Sequence, residues 1–277
     1  MAKTEAVSIF KANRTDEDEL REVYANIVDQ IQVNTLSTVL KNTNLSGDPE
    51  AGSVVVRRLQ TSLVKDQGTA RTAGEGDKIS DNGVTVNLDV RKEIVEEVNR
   101  MDIRQYGIPE LVRRREQNFV LATARHLDTA FFTEAESAGT EATVVATDIA
   151  DQVEELIQSV ETVKNENVDG VNRELINLTL SPAAYGMLRN KIHTYANPNE
   201  GGVDINTFNG VRVWSNLRQT EDAIAMVQGS IALPVVIEDF DLEKINLSAE
   251  SGLTMFFNYG VKAVMADLIK YANLLGS

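Results

Sequence analysis

Residues 54–90 read VVVRRLQTSLVKDQGTARTAGEGDKISDNGVTVNLDV, and how this stretch is held decides the fold. Its last seven residues alternate. Val84, Val86, Leu88 and Val90 face one way, and Thr85, Asn87 and Asp89 the other. That period of two marks a half-buried strand. VVVRRLQTSLV (54–64) is rich in β-branched residues but alternates less cleanly. Between the arms, KDQGTARTAGEGDKISDNG (65–83) holds four glycines, no aromatic, and Ile79 as its sole large apolar side chain. The stretch predicts a long antiparallel hairpin with a loose polar tip.

The surrounding sequence says how such a hairpin is held. No aromatic residue lies between Tyr24 and Tyr106. Aromatic side chains bury about 150–250 Å² each and dominate cores. A two-stranded hairpin alone is marginal in water. The arm is therefore expected to lie over another surface, of its own chain or of another subunit.

Composition sets the outer bounds. The 277 residues suffice for one large or two modest domains with a real core. The absence of cysteine excludes disulfides, thiolate metal sites and a cysteine nucleophile, and fits a reducing cytoplasm. MAKTEAVSIFKANRTDEDEL lacks the apolar segment of a secretion signal, and no apolar run approaches the roughly 18 residues of a membrane span, so a soluble chain is expected. The net charge of −15 repels nucleic acid at long range. It fits either simple solubility or life beside nucleic acid without gripping it.

Outward from the hairpin, helical spacing recurs. Leu20, Val23, Tyr24, Ile27, Val28 and Ile31 predict a helix after TDEDEL (15–20). KNTNLSGDPEAGS (41–53) is a loop. GIPELVRRREQNFVLATARHLDTAFFTEAES (107–137) is the strongest helix, with Pro109 in its first turn. Val120, Ala124, Leu127, Phe131 and Ala135 form its apolar stripe. DIADQVEELIQSVETVK (148–164) is an acidic helix capped by Asp148 and ended by NENVDG (165–170). ELINLTL, NGVRVWSN and DAIAMVQ are strands. SPAAYGMLRNKI begins a helix with Ser181 as cap and Pro182 at its first position. The end, GLTMFFNYGVKAVMADLIKYANLL, is apolar and strand-like.

Catalytic constellations are missing from the sequence. His126 and His193 stand apart, and two histidines without cysteine make a poor zinc site. Gly74 and Gly76 begin a dinucleotide-like pattern that Ile79 breaks. NENVDG fills half a calcium loop, but Ile176 stands where a bidentate Glu is required. Acids such as Glu134, Glu136 or Asp148 are the candidates for an α+β enzyme, though a pair at i,i+2 on a helix points apart. No cofactor, metal or catalytic role is expected.

Two basic groups stand out against the acidic background. Arg113, Arg114 and Arg115 read as phosphate contacts or as charge pairs, and pairing is favoured because residues 134–170 hold ten acids and only Lys164. Over residues 57–80 of the hairpin, Arg57, Arg58, Lys65, Arg71 and Lys78 outnumber Asp66, Glu75 and Asp77. A basic arm on an acidic body suits docking one copy on the next, and an ordinary solvated loop is the alternative. All eight cations are candidate intersubunit contacts.

The order of parts resembles the major capsid proteins of tailed bacteriophages, the Hong Kong 97 type. VTVNLDVRKEIVEEVNRMDIRQYGIPELVRRREQNFVLATARHLDTAFF resembles that family's return strand, entry to the peripheral domain and spine helix. LINLTLSPAAYGMLRNK resembles the strand, turn and helix of its axial domain. NGVRVWSN, DAIAMVQGSIAL and FFNYGVKAVMADLIKYA resemble its later strands. Each motif alone is weak; their order and spacing carry the resemblance over nearly the whole chain.

The resemblance implies an α+β fold with an N-terminal arm (1–53), an extended β-hairpin loop (54–91) and a peripheral domain (92–170) with a spine helix at about 109–137. An axial domain (171–245) and closing peripheral strands (246–277) would follow. It implies a non-enzymatic shell subunit that assembles in the bacterial cytoplasm into hexamers and pentamers of an icosahedral head around double-stranded DNA. The hairpin would lie on a neighbouring subunit. Its partners would be further copies of itself, a separate scaffolding protein since the arm starts near Met1, a portal, decoration proteins in some heads, and DNA bound without sequence preference. Cargo-holding encapsulins share the fold and are the alternative.

Overall fold

The computed structural model describes residues 35–59, 81–99, 101, 104–105, 108–195, 206–244 and 251–274. The main elements, in chain order, are α1 (Leu36–Leu40), β1 (Ser53–Leu59), β2 (Asp81–Asn87), β3 (Val90–Val98), α2 (Ile108–Ala138), β4 (Thr140–Glu141), α3 (Ile149–Glu161), β5 (Ile176–Leu180) and α4 (Pro182–Tyr195). Then follow β6 (Thr207–Phe208), β7 (Val211–Ser215), β8 (Ala223–Val227), β9 (Ile231–Ala232), β10 (Val235–Lys244), β11 (Ser251–Tyr259), β12 (Lys262–Ala263) and β13 (Ile269–Ala272). They fall into two compact units.

The first unit takes in Leu88–Asp128 and Val235–Tyr259 together with the chain up to Thr38. Its sheet is antiparallel, in the order β10-β11-β3. Along β11, Leu253, Met255, Phe257 and Tyr259 are buried, while Thr254, Phe256 and Asn258 face the opposite way. The part of α2 in this unit covers the buried face. His126 Nε2 lies 2.9 Å from Tyr259 Oη, and its ring meets Phe257 edge-on. Arg115 Nε stands 3.3 Å from Glu96 Oε2 on β3. Phe119, Val120, Ala124 and Leu127 of α2 are buried. The Asp128 carboxylate accepts the Leu36 and Ser37 N–H groups (3.3 and 2.9 Å), satisfying donors that the start of α1 leaves open.

The second unit takes in Val39–Asn87, Thr129–Pro234 and Gly260–Ser277. Its six-stranded mixed sheet runs β4-β13-β8-β5-β7-β6, with β5 parallel to β7 and antiparallel to β8. Every residue of β5 and β8 is buried. On one face, Ile176, Leu178, Leu180, Val211 and Val213 pack with Val153, Leu156, Ile157 and Val160 of α3 and Leu188 of α4. Each such side chain contributes about 1.5–3 kcal/mol when fully buried. The Asp148 carboxylate caps α3 by accepting the Ala150 N–H at 3.1 Å. Ser181 Oγ accepts the Ala184 N–H at 3.2 Å ahead of Pro182. Arg173 holds α3 to the entry of β5 with forked bonds to Glu161 (2.7 and 2.8 Å) and a 2.6 Å bond to Glu154.

The long helix spans Ile108–Ala138, and its expected stripe of Val120, Ala124, Leu127, Phe131 and Ala135 is buried throughout. The alternating run 84–90 is divided. β2 ends at Asn87 and pairs with β1, whereas β3 starts at Val90 and pairs with β11. The face alternation holds across the break, with Leu88 buried and Asp89 exposed. Strand pairing is a long-range property and leaves no mark in the local pattern. The apolar end is divided too, β11 joining the three-stranded sheet and β13 the six-stranded one. The helix expected after Thr15 lies outside the described residues.

Candidate functional site

The hairpin of β1 and β2 forms a two-stranded sheet among the described residues, and its mount is the candidate site. β1 and β2 pair from Ser53↔Asn87 out to Leu59↔Asp81 and, among the described residues, join no larger sheet. Val54, Val56 and Val86 turn to one side and pack with Ala232 and Val264. The other side carries Arg57, Gly83 and Thr85, all exposed. Ser46 and Val55 exchange backbone hydrogen bonds of 2.9 and 2.8 Å on the β1 edge.

Three contacts fix the mount on the β2 side and beyond. Lys262 Nζ donates to the Thr85 carbonyl at 3.1 Å. Gly260 allows a backbone approach that no other residue permits, since a Cβ there would stand 2.1 Å from the Asn87 carbonyl oxygen. Furthest out, the Arg58 guanidinium grips Asp267 with both nitrogens, at 2.6 and 2.8 Å, in the fork geometry that makes such pairs strong. The Asn165 side-chain amide donates to the same carboxylate. Burial pushes the Asp267 carboxyl up, but the hydrogen bonds from Arg58 and Asn165 and the Arg58 charge outweigh it and hold it below the usual carboxylate range.

The eight candidate cations are distributed as follows. Arg57 is exposed opposite Gly83, and Arg58 is engaged within its own chain. Lys65, Arg71 and Lys78 lie outside the described residues. Arg113 is exposed on α2, Arg114 belongs to the same helix, and Arg115 is paired with Glu96. That acid comes from β3, where the sequence had pointed to 134–170. Arg57 and Arg58 belong to the second unit and Arg113–Arg115 to the first.

Sequence reasoning missed Asp267, Asn165, Lys262 and Gly260. Asp267 lies 209 residues from Arg58, and no local pattern links them. NENVDG did reveal a turn. Asn165 Oδ1 accepts the Asn167 and Val168 N–H groups, both at 2.9 Å, and Gly170 takes φ 81°. Its second role at Asp267 was not legible.

The acids considered for catalysis are occupied by the backbone. Glu134 accepts the Ala263 N–H at 2.9 Å. Glu136 accepts the N–H groups of Thr220 and Glu221 at 2.6 and 3.0 Å. Asp148 caps α3 and pairs with Lys191 at 2.5 Å. His126 serves packing beside Tyr259, with burial and then the Lys92 charge lowering its pKa. The side chain of His193 lies outside the described residues. Among the described residues, no group of three or more acids or histidines is placed to hold a metal ion, and no helix is long and apolar enough to cross a membrane.

No family model and no curated protein matches the chain. Solved structures do. A structure from Mycobacterium phage Che8 superposes with a TM-score of 0.62 at 20% identity, covering 82% of this chain and 86% of that one. The capsid structure of the cyanophage P-SCSP1u gives 0.58 at 14% identity, covering 86% and 88%. A virus-like particle from Pyrococcus furiosus gives 0.58 at 10% identity, covering 91% and 98%. The chain has the Hong Kong 97-type fold of tailed-phage capsid proteins, an α+β architecture, as its sequence order implied.

Proposed function

We propose that the chain is a capsid shell subunit of a tailed bacteriophage, assembling into hexamers and pentamers of an icosahedral head that encloses double-stranded DNA. The observation that carries this reading is the fold shared with phage capsid proteins over more than four-fifths of the chain. The hairpin supports it. Among the described residues, its own unit anchors the base through Val54, Val56, Val86 and Arg58. Residues 60–80 add Leu63, Val64 and Ile79 as their only large apolar side chains. Their charges balance, with Lys65, Arg71 and Lys78 against Asp66, Glu75 and Asp77. Length and polarity, more than net charge, support a seat for this arm on a neighbouring copy.

In this reading the segments 1–53, 54–91, 92–170, 171–245 and 246–277 serve as arm, extended loop, peripheral domain, axial domain and closing strands. Arg57, Lys65, Arg71, Lys78, Arg113 and Arg114 are intersubunit contacts. Arg58 and Arg115, each paired within the chain, act from within their own subunit. A separate scaffolding protein guides closure, and a portal and decoration proteins complete the head. The surplus of acids keeps packaged DNA from sticking to the wall.

The likeness to the Pyrococcus furiosus particle, which covers nearly all of that chain, supports a second reading as a cargo-holding compartment. Electron microscopy of particles purified from expressing or infected cells, followed by nuclease and mass analysis of their contents, separates the two. Closed shells with nuclease-protected double-stranded DNA support the phage head. Shells filled with a host protein support the compartment, and the absence of shells with every candidate scaffold contradicts both.

A further inference from the structure

We propose that Arg58, Asp267 and Asn165 form a charge-controlled clamp that fixes the direction in which the hairpin leaves its own subunit. The hairpin has two kinds of restraint in series. Its inner half is held by apolar packing of Val54, Val56 and Val86, by Lys262 on Thr85 and by the close approach at Gly260. These contacts end at the Val56↔Val84 pair. The next two pairs outward, Arg57↔Gly83 and Arg58↔Asn82, have no apolar anchor among the described residues, and Gly83 gives the ladder no side chain to pack.

Arg58 supplies the missing restraint. Its side chain is only 15% exposed and reaches Asp267 with two bonds at fork geometry. Asp267 sits in the tight turn Ala266–Leu268, immediately before β13 of the six-stranded sheet. Asn165 lies in the turn that ends α3 and bonds the same carboxylate. The clamp thus ties the two-stranded ribbon to the turn before β13 and to the turn after α3. A pair of this kind fixes orientation well because the planar fork tolerates little rotation. It differs from the apolar anchor in being removable by neutralising one charge. Its role in assembly rests on the shell reading above; its role in holding the ribbon does not.

The test is hydrogen exchange on the full-length chain, resolved by peptide, for wild type, Asp267→Asn, Asn165→Ala and the charge swap R58D/D267R. The clamp predicts that Asp267→Asn speeds exchange in the outer hairpin, around residues 57–59 and 81–83, by roughly ten- to a hundredfold. Val54, Val56 and the β5 and β8 amides keep wild-type protection. Asn165→Ala gives a smaller acceleration in the same place, and the charge swap restores protection. Unchanged outer exchange in Asp267→Asn overturns the clamp. Equal acceleration of β5 and β8 also overturns it, by showing a general loss of stability. Particle size is read on the same samples. A broadened or failed size distribution in Asp267→Asn, repaired by the swap, supports control of direction. Normal particles despite faster outer exchange reject that control while leaving the shell reading intact. If the wild type forms no particles even with scaffold supplied, the shell reading fails and the exchange result still decides the clamp.

Discussion

The six-stranded sheet and the β1–β2 hairpin belong to the same unit and are stabilised in opposite ways. In the sheet, β5 and β8 are paired on both edges and buried along their whole length. Nothing outside the unit is needed to complete them. The hairpin has two strands, three anchoring valines, and a forked ion pair at the outer limit of its anchored part. A sheet of the first kind serves as a self-sufficient core. Among the described residues, a ribbon of the second kind rests on a few contacts at its base rather than on a sheet of its own.

The sharpest way to break this comparison is to damage the sheet. Leu178→Ala removes a fully buried side chain from the central strand and should cost about 2–5 kcal/mol in denaturant unfolding. A smaller loss, with hairpin exchange affected equally, would mean that the two regions are not energetically distinct.

Gly260→Ala strikes the mount instead. The added Cβ meets the Asn87 carbonyl at 2.1 Å, so backbone must shift, at a cost of about 1–3 kcal/mol. Faster exchange should concentrate in β1 and β2. Ser181→Ala removes the cap of α4 and should lower the unfolding free energy by about 1 kcal/mol, leaving the hairpin unaltered.

Acid gives the smallest and most selective effect. Burial, with the Lys92 charge, lowers the His126 pKa below 6.5. The unfolded chain then binds the extra proton first, so this contribution to stability is lost as pH falls from about 6.5. Asp267 is depressed in the folded chain, so its contribution is complete above the ordinary value of 3.8 and is lost as pH falls through the lower folded value. A pH series of hydrogen exchange should therefore loosen the contacts around Tyr259 at milder acidity than the outer hairpin. The reverse order would contradict both assignments.

What the sequence revealed follows from the range of each interaction. The stripe of α2, the caps at Asp148 and Ser181, and the strands β5, β7 and β8 are local patterns and were legible. The division of 84–90 between two sheets was not, because one alternation served two pairings. The same limit hid the clamp. Arg58 read as a candidate intersubunit contact because nothing near it announces Asp267, and Asn165 read as a turn residue because its second bond is 102 residues away.

The central claim is that another copy of this chain holds the arm. The most direct test is the solution mass by light scattering of the full-length protein and of a variant lacking residues 68–80, compared at low and near-physiological salt. The account predicts megadalton particles or capsomer-sized rings for the full chain, and a monomer with unchanged circular dichroism for the deletion. Particles of the same mass from both proteins, or a strict monomer from the full chain at every concentration and with scaffold supplied, would contradict it.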